Sequence, residues 1–292
     1  MRTKILLAAI IAIFCIIPAS AQTAIQLNLK KGETYHQTTT TTAEVIQSVS
    51  GMNITITTTV DSKYAYKVTE TTGDNYDIEV TYEKLIVNMS LPQMNMSYSS
   101  ENPKDAISTF FASLDKQPFN IKMSKYGEVL EVSNLDKLTN AAGLSETDKA
   151  IVTQVFGEEQ IKSGLESLST LYTKTTVSKG NSWEDKTTMS TSGMEFVIAS
   201  KYTLVETGST NKISGTITIN TDPNAAPMVS QGMSMKLNLS GTGTADVTLD
   251  AKTGWITDAT IKQNIKGEAQ ILDGMAAGMT IPITMNNATI YK

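Results

Sequence analysis

The chain has 292 residues, 40% of them apolar and 18% charged, with a formal net charge of −5, one Cys and one His. That balance, with no basic cluster, excludes nucleic acid and anionic membrane as partners, and the apolar fraction excludes a disordered stalk. With His36 the only histidine, Ser-His-Asp, Cys-His and multi-histidine metal sites are set aside.

Arg2 and Lys4 precede an apolar run, Ile5 to Ile17, that ends in Pro18-Ala19-Ser20-Ala21. A charged start, a short apolar stretch and an Ala-x-Ala ending predict a signal peptide over residues 1–21, cut after Ala21, and an exported protein, periplasmic or extracellular. A lipidated Cys15 is disfavoured because bulky apolar residues flank it. The run is too short to span a bilayer comfortably, and no later stretch reaches transmembrane length. Removing residues 1–21 takes away the only cysteine, so stability must come from packing rather than disulfides.

Residues 22–134 read as a first β-rich half. The five-threonine run Thr38–Thr42 suits an edge or exposed strand. Ile54 and Ile56, then Tyr64, Tyr66 and Val68, fall on one face, and Tyr76, Ile78, Val80 and Tyr82 alternate with polar neighbours. This period of two predicts half-buried antiparallel strands. Asn102-Pro103 is expected to open a short helix ending near Leu114. A hairpin follows at Tyr126-Gly127, where glycine supplies the positive φ.

Residues 135–174 form a helical insert. Ser145-Glu146-Thr147-Asp148 has the form of an N-terminal capping sequence. Ile161, Leu165, Leu168 and Tyr172 share one helical face, and Gly157 is expected to break the region in two. The stripe is expected to pack on a sheet, as a fixed core element or as a lid over a ligand.

Residues 175–292 read as a second β-rich half. Asp222-Pro223-Asn224 marks a loop and Lys252-Thr253-Gly254 a tight turn. The last strand, Ile281 to Tyr291, is placed at an edge because of Pro282. The halves echo each other. Ser62-Lys63-Tyr64 returns as Ser200-Lys201-Tyr202, Lys31-Gly32-Glu33-Thr34-Tyr35 as Lys179-Gly180-Asn181-Ser182-Trp183, and Gly127 as Gly254. Landmarks in one order imply an internal duplication. The predicted class is α+β, mainly β: two related antiparallel curved sheets, half-barrel-like, with the helical insert between them or on their concave side.

Met89, Met94 and Met96 repeat the spacing of Met228, Met233 and Met235. The i, i+2 pairs Met94/Met96 and Met233/Met235 each point to one face of a strand. Thioethers are soft ligands suited to Cu(I), which makes these four the metal candidates. Methionine also fills irregular gaps beneath a curved sheet, and that core role is the reading adopted. No metal, cofactor or catalytic residue is assigned, because the carboxylates form no recognisable signature and fall on the polar sides of strands.

The opening K-G-x-[ST]-aromatic motif, the run Phe119 to Val132 and the motif Val177-x-x-Gly180-x-x-Trp183 resemble a family of exported β-rich bacterial proteins of unknown function. The resemblance implies export and a duplicated β fold, and carries over no catalytic residue. More loosely, curled sheets over helices look like the half-barrels of periplasmic lipoprotein carriers. Two functions follow as expectations: a module binding a lipid-like ligand or envelope component, or a structural, envelope-associated protein with a filled core.

Overall fold

The computed structural model describes residues 22–292 except 50, 136–137, 139–143, 147, 150–151, 153–155, 157, 167–168, 192–193, 231–232 and 275. The signal-peptide reading, Cys15, Gly157 and Leu168 therefore lie outside the described residues. The first elements are β1 (Thr23–Ala24), β2 (Thr34–Val49), β3 (Met52–Thr72), β4 (Asn75–Leu91), β5 (Met94–Ser99), α1 (Ala106–Ser113), β6 (Phe119–Ser124) and β7 (Val129–Ser133). Then come α2 (Glu158–Glu166), β8 (Thr176–Val177), β9 (Ser182–Thr191), β10 (Met194–Glu206) and β11 (Thr210–Thr221). The chain closes with β12 (Met228–Ser230), β13 (Met233–Asp250), β14 (Ile256–Ile271) and β15 (Thr280–Tyr291).

The protein is mainly β, as the alternation predicts, with two antiparallel sheets of very different size. β1 and β8 make a small ribbon, while thirteen strands share one open sheet in the order β7-β6-β4-β3-β2-β15-β14-β13-β11-β10-β9, with β5 beside β4 and β12 beside β13. The strand sets of the two halves meet where β15 pairs with β2, from Ile283↔Gln47 to Tyr291↔Thr39. The orders β2-β3-β4-β6-β7 and β9-β10-β11-β13-β14 run in parallel sequence. The turns ahead of β2 and β9 are also held alike. Gly32 N–H donates to Val68 O and Val68 N–H to Glu33 O; Gly180 N–H donates to Leu204 O and Leu204 N–H to Asn181 O. Tyr35 faces Tyr66 across β2–β3, and Trp183 faces Tyr202 across β9–β10. Tyr202 thus corresponds to Tyr66 rather than to Tyr64, two residues along the same face.

Three local expectations are corrected. β2 is a central strand, so the Thr run is not at an edge; its β-branched side chains suit strand pairing on both sides. β15 is also central. Pro282 is tolerated because it faces Glu268 of β14 just before the β2 pairing begins at Ile283, so no ladder needs its missing N–H. The first helix is capped by Asp105, whose carboxylate accepts from Ser108 N–H at 2.8 Å, three residues later than the cap read at Asn102. The Ser145 cap stands as read: Asp148 N–H donates to Ser145 Oγ at 3.2 Å.

One end of the large sheet is crossed by the first described segment of the chain. The segment carrying Ile25, Leu27 and Leu29, all buried, crosses it as a strap. Leu27 N–H donates to Lys125 O in the β6–β7 turn, and Asn28 N–H donates to Thr253 O in the β13–β14 turn. The strap lies so close to Gly254 that a Cβ there would stand 1.9 Å from Gln26 O. Curling of the sheet has a similar signature: a Cβ at Gly241 on β13 would stand 2.4 Å from Asn264 O on β14. Glycine lets neighbouring strands coil this tightly.

Candidate functional site

Alternation assigns the concave face by parity. On β2, Gln37, Thr39, Thr41 and Ala43 point inward; on β15, Met285, Asn287, Thr289 and Tyr291 do. Together with residues from β3, β4, β6, β9, β10, β11 and β14 they line a cavity of about 680 Å³. Strands near both edges of the sheet, β6 with Phe119 and β9 with Thr187 and Met189, contribute, so the sheet curls round the space. α2 covers it. This helix packs on both edge strands, β7 and β9, and offers Ile161, Leu165 and Glu166 to the cavity. Of the sequence-predicted stripe, Ile161 and Tyr172 are buried, Leu165 is half-buried on the cavity wall, and Leu168 lies outside the described residues. The helix is a bridge across the seam of an open sheet rather than a plug that fills it.

The strap end of the cavity is aromatic. Ring contacts run from Trp255 to Tyr66 (5.2 Å), Tyr64 (5.9 Å), Tyr82 (4.7 Å) and Phe156 (5.4 Å), and on to Phe111 of α1 (5.8 Å). Burial pushes the phenols of Tyr66 and Tyr82 well above their ordinary value, so they are neutral hydrogen-bonding groups. A smaller space of about 90 Å³ continues beside Leu27, Tyr172 and Trp255.

Polar side chains in the wall satisfy one another. Thr39 and Ser62 hydroxyls lie 2.6 Å apart, Gln37 Nε2 donates to Lys292 O at 3.1 Å, and Thr170 Oγ1 donates to Ser200 Oγ at 3.3 Å. No buried polar side-chain atom among the described residues lacks a partner. Such a wall makes no directional demand on a guest and favours contact by shape and apolar area.

Among the described residues lining the cavity there is no Lys, Arg or His, and Glu166 supplies the one carboxylate. Burial holds the Glu166 carboxyl above the ordinary carboxylate value, outweighing the nearby Lys162 charge and a hydrogen bond accepted from Val129 N–H of β7. The folded protein then keeps a proton that the unfolded chain releases, so this group's effect on stability worsens as pH rises above the ordinary carboxylate range. Glu166→Gln is therefore expected to raise Tm at pH 7, with the gain vanishing as pH falls toward 4. Thermal melts across that range check it; a Tm gain that does not depend on pH would show that burial of the charge is not the cause.

His36 is exposed on the outer face, 3.2 Å from Glu83, away from the cavity. The methionine candidates fall in two places. Met94 and Met96 lie on β5, with Met96 opposite Met89; Met233 and Met235 begin β13, with Met235 opposite Met228. The strand order separates β4 from β13 by four strands, so it does not bring the two pairs together. Three of them are not core residues as expected: Met94 is 53% exposed and Met96 and Met233 are half-buried, while Met235, also half-buried, packs against the core. The reason is their position beyond the helix-covered part of the face. Among the described residues no three His, Cys, Asp or Glu side chains gather as a metal site.

The cavity was not readable as such from the sequence. Its one signal was the parity of apolar and Thr/Gln side chains on β2 and β15, which marks a face but not the space above it.

A family model described as a family of unknown function, DUF6263, matches residues 73–256. The chain belongs to this family. The DUF6263 span opens at the β3–β4 turn and closes at the start of β14, and so takes in α1, α2 and both edge strands. No curated protein matches. Among solved structures, one of lipovitellin, described by its lipid–protein interactions, is similar over 91% of this chain with a TM-score of 0.50 and 11% identity. The chain spans 25% of the length of that protein, and the likeness is one of fold. An outer membrane channel from Pseudomonas putida F1 aligns over 91% of this chain and 97% of its own, at 8% identity and a TM-score of 0.29, too low to bear on the fold. No described helix is long and apolar enough to cross a membrane.

Proposed function

We propose that this DUF6263 member is a non-catalytic binding module that holds a lipid-like apolar ligand in the concave cavity. The observation that carries the reading is the cavity itself: about 680 Å³ of space walled by aromatic, aliphatic and methionine side chains with internally satisfied polar groups. That is within the size range of small-molecule sites. A filled interior, as a purely structural protein would have, leaves no such space. With no cation in the described wall, an acyl chain or other neutral body is favoured over a buried anionic headgroup. The likeness in fold to a lipid-binding protein agrees with this reading.

Export, after cleavage at Ala21, belongs to the same proposal, since an apolar carrier is useful in an envelope compartment. So does the internal duplication, which the matching strand orders and matching turns favour.

Ala43 tests the site. It sits half-buried on the inner face of central β2, where an indole would fill the cavity without crossing the sheet. Native mass spectrometry and organic extraction of the purified protein are expected to recover a lipid. Ala43→Trp should cut its occupancy by about tenfold or more, as loss of a well-filled apolar site does, with little change in Tm. Protein that never carries or takes up an apolar ligand, or uptake indifferent to Ala43→Trp, overturns the reading.

A further inference from the structure

The two ends of the sheet differ in chemistry. At the strap end the turns carry charge: Lys30 and Lys31 before β2, Asp74 after β3, Lys125 and Glu128 between β6 and β7, Lys179 before β9, and Lys252 between β13 and β14. At the other end, the connections β2–β3, β4–β5, β12–β13 and β14–β15 contain no Lys or Arg and Asp273 is their one acid, while Glu195, Asp222 and Lys236 group to one side, beside Met228 of β12.

That end instead carries most of the exposed large apolar side chains of the described protein. Met52 (69% exposed) and Ile54 belong to the β2–β3 hairpin, Met94 to β4–β5, Val229 (71%) to β12–β13, and Leu272 and Met279 to β14–β15. The strand order makes these hairpins consecutive neighbours, β5-β4-β3-β2-β15-β14-β13-β12. At the usual strand spacing the tips lie along a rim roughly 34 Å long. Six of the nine large apolar side chains most exposed among the described residues stand along this one rim, a clustering that points to an interaction surface.

We infer that this rim docks on an electrically neutral lipid surface. Charge decides the class of surface: with no base on these turns and a net acidic chain, nothing recruits anionic headgroups. Shape separates it from a second copy of the chain. Single side chains at four hairpin tips, spaced by Gly51, Asn53, Pro92 and Gln93, suit shallow insertion among headgroups better than the packed patch of about 800 Å² per partner that a stable dimer needs. Continuity supports it further. Met189, Met194 and Met285 line the cavity at this same end, so apolar inner face runs from cavity to rim. The inference rests on the lipid-cavity reading only for its purpose, since the rim can dock whether or not the cavity is occupied.

Flotation of the purified protein with phosphatidylcholine vesicles tests it. The protein is expected to float, and to do so equally at low and high salt. The triple variant Met52→Asp/Met94→Asp/Met279→Asp should float at least about tenfold less, since charges at the tips resist burial. Its substituted sites are exposed, and an unchanged circular dichroism melt checks the fold. Met94→Trp gives an independent readout: its fluorescence should be quenched by brominated phosphatidylcholine. Ala43→Trp should float like the parent, so failure of the cavity and failure of the rim are told apart. A parent protein that stays unbound, floats only with anionic vesicles, or forms a dimer that the triple variant dissociates, overturns the inference, as does an undiminished triple variant.

Discussion

Phe156→Ala is expected to lower unfolding free energy by about 3–5 kcal/mol, the usual cost of deleting a buried phenyl ring. Phe156 is fully buried and meets Phe110 (6.0 Å) and Phe111 (5.8 Å) on or beside α1 and Tyr82 (5.4 Å) on β4. It therefore joins the helical insert to the sheet at one point. Its removal also enlarges a cavity that the ring already bounds, so the surroundings have little means to collapse into the gap. Phe156→Leu keeps most of the volume and should cost less than about 1.5 kcal/mol. Urea denaturation followed by intrinsic fluorescence measures both. A loss below about 1 kcal/mol for the alanine variant, on the same scale, would mean that Phe156 does not anchor the insert.

The second large effect is at Gly254. Its φ of +67° already disfavours any residue with a side chain, and an added Cβ would stand 1.9 Å from Gln26 O and 2.8 Å from the carbonyl carbon. Gly73 has a similar φ of +61° but open space around it, so Gly73→Ala isolates the conformational cost of about 1–2 kcal/mol. Gly254→Ala must in addition push the strap away, breaking the Asn28 N–H to Thr253 O bond and disturbing the Tyr172 hydroxyl on Gly254 O. A total loss of about 3 kcal/mol or more is expected, as for other backbone clashes at a special φ. Hydrogen exchange should speed up at Leu27 and Asn28 in this variant and not in Gly73→Ala. Equal losses for the two glycines would show that the strap yields without cost.

These two sites divide along the line between what sequence carries and what it does not. The Gly254 turn was legible, because Lys252-Thr253-Gly254 between two alternating runs has a local cause, positive φ, that needs no knowledge of the rest of the chain. The same is true of the Gly127 turn and the Ser145 cap: each follows from a local φ or from one hydrogen bond within a few residues. That the glycine also makes room for Gln26 was not legible, since the strap lies 228 positions earlier in the chain. Nor was the pairing of β15 with β2, which places the Thr run and Pro282 inside the sheet. A strand's alternation states which face is apolar and is silent on which strand lies beside it. The cavity lies one step further from the sequence. Leu165 and Tyr82 read as core because they are apolar and in phase. Only the curl of the sheet, set by close approaches such as Gly241 to Asn264 O, and the span of α2 from β7 to β9 decide that these side chains surround a space instead of filling it.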